Sequence, residues 1–218
     1  TKTTSLVYIG GIQGKNTSKD AISTDGNICS NGYISMGDNY FNNPLLVLSN
    51  ASFENNTYNG DLTFADAYTI ESGESITING NVLAKKAFTI NGQLTVNGDF
   101  EVNNYRIVMT KSDAYLMVNG NFTYDSAYSG NYITSGTIEV TGDVAVTSKF
   151  AASGTNKVIL SGTTKQTITR EYSCQFNIIE LNNFSEEGVY SDNIILANQL
   201  VNNGTRLICG AADYREGF

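Results

Sequence analysis

The sequence predicts an all-β chain wound as a right-handed parallel β-helix, a β-solenoid with coils of about 18–22 residues. Three observations carry this. A motif of the form apolar–x–Gly–Asp/Asn–apolar returns along the chain as "INGNV" at Gly80, "VNGDF" at Gly98, "VNGNF" at Gly120 and "VTGDV" at Gly142. With the weaker copies "YNGDL" at Gly60 and "LSGTT" at Gly162, the intervals are 20, 18, 22, 22 and 20 residues. Apolar–Thr–apolar triplets stand between the copies, and the composition suits strands and tight turns, with 21 glycines and a single proline in 218 residues.

The Asn-Gly pairs have a second reading. Asn-Gly between alternating apolar residues is a strong hairpin signal, which makes an antiparallel β-sandwich the alternative. Two points weigh against it. A meander has no reason to keep one spacing over five intervals, and hairpin strands would need matched lengths on either side of each turn, whereas these flanks differ from copy to copy. The pairs are therefore read as corners, with Asn and Gly chosen because both tolerate the left-handed backbone conformation.

Each coil follows from its triplets. In "LTF" (62–64), "ITI" (76–78), "FTI" (88–90), "LTV" (94–96) and "FTY" (122–124) a strand sends the outer residues to one face and threonine to the other. Ile76, Ile78, Phe88, Ile90, Leu94, Val96 and Val118 are thus assigned to the core, and Thr77, Thr89 and Thr95 to the outside. Asn79, Asn97 and Asn119 should stack as a ladder of amides at one edge, with Gly80, Gly98, Gly120 and Gly142 beside them. Residues 1–218 read as one domain, with regular coils over 61–175 and less regular coils or a cap over 176–218. "TDGNI" at Gly26 is a further weak copy. The abrupt start "TKTTSLVYIGG" reads as a cut from a longer, multidomain chain.

Charge and composition narrow the function. Thirteen Lys and Arg against 21 Asp and Glu give a net charge of −8, which opposes nucleic acid and anionic membrane as partners. The longest clean apolar run, "PLLVL" at 44–48, is far too short for membrane insertion. The chain has no histidine, which removes Ser-His-Asp and Cys-His catalysis, and its three cysteines show no Cys-x-x-Cys spacing, so no metal or other cofactor is expected. Cys29 and Cys209 read as small buried residues, and a Cys174–Cys209 bridge stays open. Asp61, Asp99 and Asp143 recur at corners, where carboxylates hydrogen-bond turns. Asp113, Asp125 and Glu139 are the remaining acids for a carbohydrate-active enzyme, a polysaccharide lyase or hydrolase on a β-helix. "KKAF" at 85–88 reads as an exposed charged corner.

Two coils lengthen, at "NNYRIVMTKSDAY" (103–115) and "TYDSAYSGNYITSG" (123–136), and insertions leave a solenoid wall as loops. The second sets Tyr124, Tyr128 and Tyr132 and Asp125 among Ser, Gly and Asn, a composition that gives contact area at low entropy cost. Tyr105, Arg106 and Asp113 of the first insertion should rise one coil away and form a shallow groove with it. Against this, Tyr124 at the inward position of "FTY" can be core.

From about Asp61 to Gly204 the chain resembles a family of repetitive regions in large secreted or surface proteins of Firmicutes, especially Clostridia. The residues that carry the resemblance are "ITSGTIEVTGDVAV" (133–146), "FAASGTNKVILSGTTKQTI" (150–168) and "FNIIELNN" (176–183). Asn156, where that family has histidine, and "TREYSC" depart from its pattern. The resemblance implies an extracellular β-solenoid at a cell surface, with no established enzymatic activity and no catalytic residues to carry over. The expectation is a non-enzymatic module, adhesin-like toward host glycan or host protein, or a rigid stalk.

Overall fold

Every Asn-Gly corner of the repeat lies directly over the corner of the turn before it, and that stacking organises the chain. The computed structural model describes residues 6–9, 27–30, 33–34, 45–48, 51–147, 149–171, 174–193, 195–210 and 212–214. The expectations for Gly26 and for the side chain of Cys29 lie outside the described residues.

One turn shows the plan. The chain runs Val82–Ala84 in a first wall, Phe88–Ile90 in a third wall and Gln93–Val96 in a second wall, then rounds Asn97-Gly98 into Phe100–Asn103, back in the first wall. Pairing is parallel and in register: Val96 lies against Ile78 on one side and Val118 on the other, and Val82 lies between Leu62 and Phe100. The result is a parallel β-solenoid of about eight turns and coils of about 21 residues. The antiparallel sandwich is excluded, since the residues flanking Asn79-Gly80 pair with neighbouring turns and not with each other.

The first wall runs from Leu6–Ile9 to Leu207–Cys209, which pairs antiparallel with Ala212–Tyr214. The second wall runs from Thr57–Tyr58 to Ala197–Asn202. The third is shorter. Tyr68–Ile70, Phe88–Ile90 and Ile107–Val108 form strands, after which single bridges from Met109 to Ile133 and from Ile133 to Ala152 continue it. Parallel pairing thus reaches into both the N-terminal segment and the segment after 176.

Strand alternation fills the tube as the triplets require. Ile76, Ile78, Phe88, Ile90, Leu94, Val96 and Val118 are all buried, whereas Thr77, Thr89 and Thr95 are half-exposed on the outer face. Thr63 departs from this assignment: the outer threonine of "LTF" is only 6% exposed. Phe64, Phe88, Phe100, Phe122, Tyr124, Phe150 and Phe176 form a continuous aromatic spine, each ring within 6.5 Å of the next. Such contacts add to the area each ring buries.

The corner glycines are needed for a different reason from the one the sequence suggests. Gly80, Gly98, Gly120 and Gly142 are not in the left-handed region. Their requirement is close approach. A Cβ on Gly98 would sit 2.7 Å from the carbonyl carbon and oxygen of Gly80, and one on Gly120 would sit 2.6 Å from those of Gly98. Backbone lies against backbone, and the Gly142 amide donates to the Gly120 carbonyl at 3.0 Å.

Two ladders flank this glycine column. Asn79 donates its side-chain amide to Asn59, Asn97 to Asn79 and Asn119 to Asn97, each at 2.6 Å. On the other side the backbone amide of each Asp or Asn donates to the side-chain oxygen one turn earlier. Asn81 bonds Asp61 at 2.7 Å, Asp99 bonds Asn81 at 2.8 Å, Asn121 bonds Asp99 at 2.7 Å and Asp143 bonds Asn121 at 2.8 Å. Where the motif fades, the buried Gln166 takes over, donating to the carbonyls of Val140 and Gly142 at 3.0 and 2.7 Å and accepting from the Gly162 amide at 2.7 Å. Cys174 and Cys209 are free, so the bridge between them is not formed.

Urea titration separates these roles. Gly120→Ala should cost about 1–3 kcal/mol through overpacking of backbone on backbone. Ile78→Ala should cost about 2–4 kcal/mol through a core cavity, and Thr77→Ala no more than about 0.5 kcal/mol. Equal costs for Ile78→Ala and Thr77→Ala would refute the face assignment.

Candidate functional site

A solenoid wall repeats itself, so a distinct site has to arise where the repeat is interrupted. Among the described residues, one such interruption is at the corner between the first and third walls. There the chain leaves the strand Phe122–Asp125 and rejoins the third wall only at Ile133, which bridges Met109. Between them Ser126, buried, ties the loop down by accepting from the Tyr128 amide at 3.1 Å. Gly130, at φ 146°, has its Cβ position 2.9 Å from the Tyr132 ring, so only glycine lets that ring fold back over the loop. One turn earlier, Asn104 takes φ 60° and donates its backbone amide to the Asp125 carbonyl at 2.7 Å, which holds Tyr105 and Arg106 beneath the loop.

The four side chains meet. Tyr105 and Tyr128 lie with ring centroids 5.3 Å apart. The Arg106 guanidinium sits 5.0 Å from the Tyr128 ring centre and 4.6 Å from that of Tyr132. Lys86, a further turn back, donates to the Tyr105 hydroxyl at 2.9 Å and lies 4.7 Å from the centre of its ring. This hydrogen bond raises the Lys86 pKa and, with Tyr128 and Arg106 adding to it, lowers that of the Tyr105 phenol. Tyr128 is the most open member, at 37% exposure.

Of the residues expected here, Tyr105, Arg106, Tyr128 and Tyr132 come together. Tyr124 does not join them. It is 2% exposed and packs edge-on against Phe150, so it belongs to the aromatic spine, and burial raises its phenol pKa. Asp125 is exposed at the end of its strand. Asp113 stands at another corner, between the third and second walls, where it lines a small depression with Glu74, Ser75 and Gln93. The shared groove of Asp113 with Tyr105 and Arg106 is therefore not formed, because the insertion 103–115 rounds two corners and not one. Lys86 was missed. Its signal is coil position, since it precedes Tyr105 by 19 residues and lies in the same column.

Carboxylates are distributed differently. Asp61, Asp99 and Glu101 line a shallow groove of about 290 Å³ on the first wall, together with Asn81, Thr63 and Leu83. Asp61 and Asp99 are engaged by backbone amides, the turn-bonding role expected of them. Glu139 accepts from the Tyr115 hydroxyl on the second wall, and burial with that bond raises the Tyr115 pKa. The structure thus sets Asp113, Asp125 and Glu139 on three different parts of the coil. Among the described residues no group of three or more Cys, Asp or Glu side chains is placed to hold a metal ion.

Comparison with protein-family models, with curated proteins and with solved structures finds no match to this chain.

The corner ladder makes its own electrostatic prediction. Carboxylates at Asp61, Asp99 and Asp143 alternate with the neutral Asn81 and Asn121. Turns are about 4.8 Å apart, so alternation doubles the distance between charges to about one Debye length. Asn81→Asp puts three carboxylates on successive turns and should destabilise the fold by about 1 kcal/mol at low ionic strength. Thermal unfolding should show most of that loss recovered in about 1 M NaCl, and a loss indifferent to salt would contradict it.

Proposed function

We propose that this chain is a non-enzymatic, extracellular module of a bacterial surface protein, a stiff solenoid that presents one binding corner to host glycan or host protein. The observation that carries the reading is the gathering of Tyr105, Arg106, Tyr128 and Tyr132 at a corner where a loop leaves the wall. Tyrosine and arginine are the side chains that most often anchor protein contacts, because they combine large area with directed polar ends. The rest of the molecule supports a second role compatible with the first. Glycine, amide and backbone ladders that run from turn to turn resist bending, which suits a stalk. The surface setting rests on the resemblance of 133–146, 150–168 and 176–183 to surface-protein repeats.

A screen of the chain on glycan and host-protein arrays, followed by titration of any ligand found, tests this. Tyr128→Ala with Tyr132→Ala should weaken binding by at least about 2 kcal/mol and leave far-ultraviolet circular dichroism unchanged. Undiminished affinity would move the site elsewhere, and no ligand on either array would leave the stalk alone.

A further inference from the structure

The binding corner holds positive charge that the fold does not neutralise. The chain as a whole carries −8, yet neither Lys86 nor Arg106 forms an ion pair with a carboxylate among the described residues. Asp66, one turn before Lys86, acts on it through its field but is joined to it by no hydrogen bond or ion pair. The Nε of Arg106 is buried and has no hydrogen-bond partner. A ligand cannot reach a donor with no open surface, so recognition of an acid falls to the terminal nitrogens of the guanidinium, which are not among the buried unpartnered atoms.

The ring contacts define what is left to bind. A guanidinium packed on tyrosine rings uses its face there, while its N–H donors lie in its plane and suit a planar, bidentate acid. Two cations suffice for one or two acidic groups, whereas a nucleic-acid backbone needs a longer basic track. The exposed Tyr128 ring offers a flat apolar surface beside these cations, and the Tyr105 hydroxyl, which accepts from Lys86, holds that ammonium at the same corner.

The geometry points to an acidic glycan, a uronate or sulfated sugar, as the ligand of this corner: its ring lies on Tyr128, and its acid group accepts from Arg106 and Lys86. This rests on the reading of the corner as a binding site. Calorimetric titration of the chain with hexagalacturonate, a sulfated hexasaccharide and neutral cellohexaose tests it at low ionic strength. At least one acidic oligosaccharide should bind at least tenfold tighter than cellohexaose, and its affinity should fall with added NaCl. Arg106→Gln and Lys86→Gln should each weaken that binding at least fivefold without changing the melting temperature. If Arg106→Gln perturbs the fold, Lys86→Gln decides. Equal binding of acidic and neutral probes, or affinity lost with Tyr128→Ala but kept with both Gln variants, would overturn the acidic assignment and leave the glycan-binding reading in place. Binding of an acidic peptide but of no oligosaccharide overturns the glycan. Binding of no oligosaccharide overturns the acidic-glycan assignment, and the corner as a binding site is then decided by the array screen.

Discussion

The close approach of glycine backbone to glycine backbone at one corner is the constraint on which the rest depends. With Gly98 against Gly80 and Gly120 against Gly98, any side chain in this column would separate the turns. Separation would break the Asn59–Asn79–Asn97–Asn119 amide ladder on one side and the Asp–Asn ladder on the other, because each bond spans one turn. It would also open the register by which Val96 meets Ile78 and Val118 in the core. Corner, ladder and core are three results of one spacing.

This dependence explains where variation is tolerated. Each turn of a solenoid contacts only its neighbours, so an insertion is harmless if it leaves the wall at one corner and returns in register. The segment 126–132 does this, since Ile133 resumes pairing with Met109. The loop is then fixed by Ser126, by Gly130 beneath Tyr132 and by Arg106 under two rings. The binding corner thus uses a rigid scaffold without altering it.

How much of this was legible in the sequence depends on the physics of each feature. Glycine spacing and apolar–Thr–apolar alternation are periodic, and a period survives in one dimension, so the coils, the Asn ladder and the core residues were readable. The reason for the glycines was not, because close approach between turns is a distance and leaves no local mark that separates it from a left-handed backbone. Thr63 shows the same limit. Alternation assigns it a face, but what lies over that face is decided by other turns. Tyr128 and Tyr132 were legible as a polar, aromatic insertion, and their convergence with Tyr105 and Arg106 followed from adjacent turns. Asp113 was misplaced because the number of corners inside an insertion is not written in its length. Lys86 was overlooked because its role depends on a ring one turn later in the same column.

The most direct test of the stacked-turn account is a set of nuclear Overhauser contacts across the "TVNGDF" corner in an isotopically labelled sample. The account predicts backbone contacts from Val96 to both Ile78 and Val118, in parallel register, and from the Asn97 amide to Ile78. Contacts from Val96 to Asp99 and Phe100 in the antiparallel pattern of a hairpin around Asn97-Gly98, with none to Ile78 or Val118, would contradict it.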